Sequence, residues 1–368
     1  MLRVLHVIWP LNLGGAETVV MNYYRNIDRT KIQFDFLIAE DEQKEHYYDK
    51  EALSLGARIF RRPLRTKHPI KNARALFRIF KENPDIRIIH VHSSVSMLPA
   101  TDLFLSRLRG VKVRIAHSHT ERPKRSFAHR LFTPLLKFSA TDWFACSGGA
   151  GRYMFGKAWD RSSKSMVLPN AIDAKKLRFD VDKRQIIRNE LGLGDRMTVI
   201  HVANFGIPKN HSFLLEVIAK VRQINPEVVF LLVGGGKRKD EIQAKAAEFG
   251  DSVRFLGIRD DISDLLQAAD LFVLPSLREG LGMAAIEAQA AGLPCLLSAN
   301  IPAEVKITES AEFLPITDAS CWAERIIALQ NFERCDTFEA IERSGYDIRR
   351  AAENLEAFYF ATLDRGNK

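Results

Sequence analysis

The sequence predicts an α/β protein of two doubly wound, parallel-sheet domains, Rossmann-like in plan and facing one another across a cleft. Three observations predict it. Short apolar runs alternate with stretches of helical length from Arg3 to Leu168. A second series of the same kind runs from Thr198 to Leu314. Between them, Pro169 to about Arg196 is polar and strongly charged, with Asn170, Asp173, Asp180 and Asp182 and no buried-strand pattern. Strands alternating with helices at this spacing imply parallel sheets covered on both faces. A chain of 368 residues is long enough for two cores. The expected division is an amino-terminal domain over 1–170 and a connection over 171–196. A second domain follows over 197–345, and a closing helix over 346–368 packs back toward the first domain.

In chain order, Arg3–Trp9 reads as a buried strand ended by Pro10, Asn12–Glu17 as a glycine turn and Ala16–Ile27 as a helix. Strand Gln33–Ile38, helix Glu42–Leu55 (stopped by Gly56) and strand Ala57–Phe60 follow. Helix Ile70–Lys81 leads to strand Ile86–Val91, and helix Pro99–Leu108 to strand Lys112–Ala116. Trp143–Cys146 and Ser165–Leu168 complete the first series. In the second half the strands are Thr198–Ala203, Val228–Val233, Val253–Leu256, Leu271–Leu274, Cys295–Ser298 and Ala311–Leu314. Helices fall at Phe213–Gln223, Lys239–Phe249, Asp261–Ala269 and Met283–Ala291, with Ser320–Gln330 and Asp347–Leu363 closing the chain.

Composition narrows the class. A hydrophobic fraction of 46% and a charged fraction of 27% are those of a soluble globular protein. No apolar run is long enough to span a bilayer, and the amino terminus lacks the pattern of a signal peptide. The four cysteines stand far apart with no C-x-x-C spacing, so neither zinc nor a disulfide framework is expected, and a cytoplasmic setting is. The net charge of +9 is uneven. Residues 58–137 carry 19 Lys and Arg against 4 Asp and Glu, a local +15, which leaves −6 for the remainder. This basic region has no interleaved aromatic platforms and no recognisable nucleic-acid module, so nucleic-acid binding is not expected.

The stretch Leu274–Ser298 carries the chemistry. A buried strand closed by Pro275 leads into a loop holding Glu279, Gly280 and Gly282, then an alanine-rich helix from Met283. Such a turn presents free helix N–H groups, and glycines let a phosphate approach the main chain. Glu279 and Glu287 frame it. Eight helical steps carry a rise of roughly 12 Å, wide for an acid and base acting on one glycosidic bond. The pair suits the two ends of an elongated nucleotide-sugar. Gly14 and Gly15 hold the corresponding turn of the first domain. Gly234–Gly236 lack dinucleotide spacing, and no P-loop is present. His90 and His92, then His117 and His119, end successive strands, each pair on one face. No carboxylate or Cys completes a familiar metal set with them, so no metal is expected. Lys209, after the first strand of the second domain, is placed to offset charge on a diphosphate.

These residues resemble glycosyltransferase family 4, with the two-domain fold called GT-B. The likeness rests on LGGAE at the start, RIAHSH, VLPNAID at the domain junction, PKN, and E-x7-E with EAQAAGLP, the last being the specific motif. The capsule and exopolysaccharide branch is the nearest in character. The resemblance implies a retaining, metal-independent transfer of a sugar from a nucleotide-diphosphate donor, UDP- rather than GDP-linked, to a glycan or lipid-diphosphate acceptor in cell-surface polysaccharide synthesis. No cofactor is implied. Glu279 would hold sugar hydroxyls and Glu287 the ribose. Main-chain groups of Gly280, Leu281, Gly282 and Met283, with Gly15, would meet sugar and phosphate, Lys209 the diphosphate, and Ile258 the base. His119, with His117 as the alternative, would contact the sugar near the reacting carbon. The leaving phosphate itself would take the acceptor proton.

One position departs from the family: Asn204 stands where an Arg usually precedes the Lys, and Lys237, Arg238 or Arg259 are the candidates to replace it. Rival readings are a non-catalytic nucleotide-sugar-binding partner of a synthase complex and an epimerase of the same fold. The basic amino domain is also expected to draw the protein to the inner, anionic face of the membrane, at about 1 kcal/mol per Lys or Arg near the surface.

Overall fold

The computed structural model of the protein describes residues 1–42, 44–120 and 126–365. It divides into two compact units, one of residues 1–172 with 345–368 and one of residues 173–344. The first unit has strands β1 (Leu2–Ile8), β2 (Ile32–Ala39), β3 (Ile59–Arg62), β4 (Ile86–Ser93), β5 (Val113–Ser118), β6 (Asp142–Ala145) and β7 (Ser165–Val167). Between them run helices α1 (Gly15–Asn26), α2 (Asp49–Ser54), α3 (Pro69–Glu82), α4 (Met97–Leu108), α5 (Phe127–Ser139) and α6 (Gly148–Phe155). The sheet order is β3-β2-β1-β4-β5-β6-β7, with every described pairing parallel.

Both faces of this sheet are covered, which explains why its strands read as near-continuous apolar runs. One core gathers Val4, Phe34, Phe36 and Ile88 under α1. The other gathers Leu5, Ile89, Val91 and Ala116 with Leu76, Leu103 and Leu136. Charge is buried here as well: Arg3 pairs with Asp35 at 2.5 Å and Arg58 with Asp35 at 2.6 Å, while Arg62 and Arg65 both grip Asp102. Part of the local positive charge is therefore spent inside the fold.

The second unit opens with α7 (Ala174–Leu177) and α8 (Val181–Glu190), so most of the expected connection over 171–196 folds as helices of this unit. Strands β8 (Thr198–Val202), β9 (Val229–Val233), β10 (Val253–Gly257), β11 (Leu271–Leu274), β12 (Cys295–Ser298) and β13 (Ala311–Leu314) follow. They alternate with α9 (His211–Ile224), α10 (Lys239–Ala246), α11 (Ile262–Ala268) and α12 (Met283–Ala290), and α13 (Ala319–Ala328) and α14 (Phe338–Arg343) close the unit. This sheet is also parallel, ordered β10-β9-β8-β11-β12-β13. The last helix, α15 (Ile348–Arg365), packs Ile348, Leu355 and Tyr359 into the first unit's core.

In each sheet the strand order reverses once, between β1 and β4 and between β8 and β11. Doubly wound sheets bind ligands beyond the carboxyl ends of the strands at that switch point. The loops after β1, β4, β8 and β11 are therefore the places to search.

Candidate functional site

In the second unit, the two loops at the switch point are joined by side chains and by main chain. Lys209 lies on a single 3-10 turn (Ile207–Lys209) after β8. The residue after it, Asn210, has φ 55°, the only described non-glycine residue with positive φ. Such a left-handed residue is uncommon and tends to be held at functional sites. The N–H of Leu277, in the loop after β11, donates to the Pro208 carbonyl at 2.8 Å. Across this contact the Lys209 ammonium donates to both oxygens of Glu279, at 2.5 and 2.6 Å. Ser276 Oγ adds a third bond to the same carboxylate at 2.6 Å. The sequence assigns these two residues to different parts of a ligand; the structure shows them as one ion pair, largely shielded from solvent. Sequence reading missed Ser276, although its place three residues before Glu279 is the available signal.

The loop then turns into α12. Gly282, the residue before the helix, has φ 73° and ψ 51°, a conformation that L side chains resist. Gly280 is different. Its φ is not positive, and a Cβ built there meets nothing within 4 Å. The fold does not demand glycine at 280, so the missing side chain simply leaves open space beside the main chain. Leu281 is buried and Met283 partly so, which pins the helix end down. One turn into α12, Glu287 makes no hydrogen bond or ion pair among the described residues. Part of its surface stays accessible, yet burial pushes its carboxyl up to about 7.

Gly234, Gly235 and Gly236 follow β9 and have a packing explanation. A Cβ on Gly234 would lie 2.0 Å from the Ala203 carbonyl oxygen, and one on Gly236 would lie 2.7 Å from the Phe205 nitrogen. A Cβ on Gly235 would meet Ile258, whose own side chain is 78% exposed. Asn204 is exposed on the loop that these glycines pack against. Of the cations considered as replacements for an Arg there, Arg238 is held by Glu241 and Arg259 by Asp261. Lys237 is exposed and has no ion pair among the described residues.

In the first unit, Gly14 precedes α1. A Cβ there would clash with the Glu17 carboxylate at 2.1 Å, because Glu17 folds back over the start of its own helix. Burial raises the Glu17 carboxyl, while its hydrogen bond to the main chain pulls the other way. Beside Gly15 a Cβ would find nothing within 4 Å.

Beyond this turn five histidines form one group. His6 of β1 lies opposite His90 of β4, and His92 lies opposite His117 of β5. Their rings lie close, with centroids 4.0 Å apart for His117 and His119, which are tilted, and 4.4 Å for His90 and His92, which stack. His119 Nε2 lies 2.8 Å from His92 Nδ1, and His92 Nε2 lies 2.9 Å from His6 Nδ1. A second chain joins His117 Nδ1 to His90 Nε2 at 3.2 Å and His90 Nδ1 to the Tyr359 hydroxyl at 2.9 Å. Burial lowers every one of these imidazoles, His119 to about 4 and His6 to about 3, so all five are neutral near pH 7. Two overlapping triads, His6/His90/His92 and His92/His117/His119, have the spacing of metal ligands. Of the two expected sugar-contacting histidines, His117 is buried and only His119 is partly exposed. His6 is absent from the sequence reading; its signal is its place near the end of the strand beside β4.

Comparison with known proteins agrees with this arrangement. Residues 13–176 match Glycosyltransferase Family 4, and residues 196–331 match Glycosyl transferases group 1. The chain is 35% identical over 381 residues to the putative glycosyltransferase EpsF of Bacillus subtilis, covering 99% of this chain and 97% of that one. It is 26% identical over 310 residues to a UDP-Gal:alpha-D-GlcNAc-diphosphoundecaprenol alpha-1,3-galactosyltransferase of Escherichia coli, covering 81% and 79%. To the capsular polysaccharide biosynthesis glycosyltransferase CapH of Staphylococcus aureus it is 23% identical over 383 residues, covering 98% and 99%. Among solved structures, Anabaena Alr3699/HepE in complex with UDP and glucose superposes with a TM-score of 0.78 at 17% identity, over 98% of this chain and all of that one. With two parallel-sheet units, a glycine-bearing turn and the Glu287 helix at the second switch point, and this degree of relatedness along its whole length, the chain belongs to glycosyltransferase family 4.

Proposed function

We propose that this glycosyltransferase moves a sugar from a UDP-sugar to a lipid-diphosphate-linked or glycan acceptor in cell-surface polysaccharide synthesis, with retention and without a metal or cofactor. The observation that carries this reading is the pairing of Lys209 with Glu279 beside a helix whose Glu287 has no hydrogen-bond or ion-pair partner among the described residues. The diphosphate rests on the main chain at Gly280–Met283, where glycine leaves room and helix N–H groups point outward. Glu287 accepts from the ribose hydroxyls, and Ile258 lies beside the base. Glu279 takes the sugar hydroxyls while steering the Lys209 ammonium onto the leaving phosphate, whose charge grows as the glycosidic bond breaks. Gly15 and His119 of the first unit meet the phosphate and the sugar, as the family resemblance implies. Asn204 adds no charge, and Lys237, exposed and without an ion pair among the described residues, supplies one. The UDP preference is supported by the names of the E. coli relative and of the HepE complex.

A thermal-shift and calorimetric screen of UDP-, GDP- and ADP-sugars tests the reading. A UDP-sugar should raise the melting temperature in step with occupancy, EDTA should leave transfer unchanged, and Glu279→Ala should abolish transfer in a folded protein. No response to any nucleotide-sugar defeats it.

We propose further that the first unit meets an anionic membrane surface, a reading supported by α5. Phe127, Leu131 and Phe138 are 82%, 62% and 58% exposed, at helical spacing i, i+4 and i+11. Arg107 stacks over Phe138, and Arg130 is exposed on the same helix. Large apolar side chains beside cations suit the headgroup region of an anionic bilayer.

A further inference from the structure

Two hydrogen bonds run in series from the solvent edge to the interior: His119 to His92, and His92 to His6. Each ring is neutral, so each carries one proton and offers one lone pair. Both bonds can then form only if all three rings point their protons the same way along the chain. The inner end decides the direction. His6 Nε2 is buried and has no partner among the described residues, with Phe34 packed on the ring at 4.1 Å between centroids. If the protons point inward, the chain ends in a buried N–H with no acceptor. If they point outward, it ends in a buried lone pair. Orphaned donors are the rarer and more costly of the two. Outward polarity makes His6 Nδ1–H donate to His92 Nε2, and His92 Nδ1–H donate to His119 Nε2. His119 must then carry its own proton on Nδ1, the nitrogen that has no partner among the described residues. Free imidazole side chains in water favour the other tautomer.

We propose that His92 and His6 are positioning residues that lock His119 in the Nδ1–H form, so that it meets a sugar oxygen as a hydrogen-bond donor. That His119 touches sugar rests on the proposed function; the tautomer itself does not. The partly exposed ring is thereby a fixed donor, which discriminates against a substrate group that can only donate.

Nitrogen NMR of protein labelled at histidine reads the tautomer directly in the unaltered chain. His119 should be protonated at Nδ1; a proton on Nε2 overturns the proposal. His92→Ala leaves a polar space that water can fill, and His119 should revert to Nε2–H. His92→Asn retains an N–H donor near Nδ1 and should preserve the native tautomer. An unchanged tautomer in His92→Ala would show that His92 sets nothing. In transfer assays His92→Ala should lose about tenfold in kcat/KM, with His92→Asn within about threefold of the parent, the size of one hydrogen bond. If the tautomer shifts as expected but transfer is untouched, the lock stands and the sugar contact of His119 falls.

Discussion

Glu287 and the two glycines before it separate, residue by residue, what the fold requires from what it leaves open. Burial holds the Glu287 carboxyl at about 7 against an ordinary 4.5, so the native state keeps a proton that the unfolded chain has lost between those values. Its contribution to stability therefore falls as pH rises through that window and stays low above it. Glu287→Gln should gain melting temperature over the parent as pH is raised, while UDP affinity falls about tenfold through loss of a charged acceptor. A melting difference that is flat with pH would refute the assignment of that carboxyl. Gly280 and Gly282 should separate cleanly. Gly282→Ala should cost about 1–2 kcal/mol in denaturant unfolding because its φ is positive. Gly280→Ala should leave stability alone and weaken UDP binding, since nothing in the free protein occupies its space.

At the scale of elements, legibility followed from what each one buries. Strands with apolar residues on both faces were read from the sequence to within a few residues. Helix α8 was not, because its one buried residue is Arg188, whose guanidinium donates to the carbonyls of Gly194, Arg196 and Ala268. A buried cation that satisfies loop carbonyls leaves no apolar periodicity to find. The expected helix over Glu42–Leu55 is reduced to α2, with Glu40 and Asp49 engaged by Arg61 across the loop that precedes it. The site motifs were legible as a list of residues, but the Lys209–Glu279 pair and the link from His119 to His6 join residues far apart in sequence. No spacing rule encodes them. Helix α5 is hard to read for a different reason: Phe127, Leu131 and Phe138 form an apolar stripe that stays exposed. Phe127→Asp with Leu131→Asp should lower binding to vesicles containing anionic lipid without lowering the melting temperature. Unchanged cosedimentation would remove α5 from the membrane proposal.

For the molecule as a whole, acid should act first on the unit that holds the five histidines. Each is held below its ordinary 6.5, so each contributes stability above that pH and loses it as pH falls toward the folded value. The slope is at most about 1.4 kcal/mol per pH unit for each ring. Hydrogen exchange at decreasing pH should show β1, β4 and β5 deprotecting before β8, β11 and β12, although buried His201 and His211 give the second unit a smaller response of the same sign.

The polypeptide leaves the first unit at Ile172 and re-enters it beside the same residue, where Ile348 N–H donates to the Ile172 carbonyl at 2.9 Å. Departure and return thus share one doorway, and residues 173–344 form an insert with adjoining ends. Such a segment can be exchanged as a cassette between relatives. A chimera that keeps this chain outside 173–344 should inherit the nucleotide preference of the cassette's source and remain soluble, because the seam leaves the Ile172–Asp347 bridge within the retained unit and spares both hydrophobic interiors.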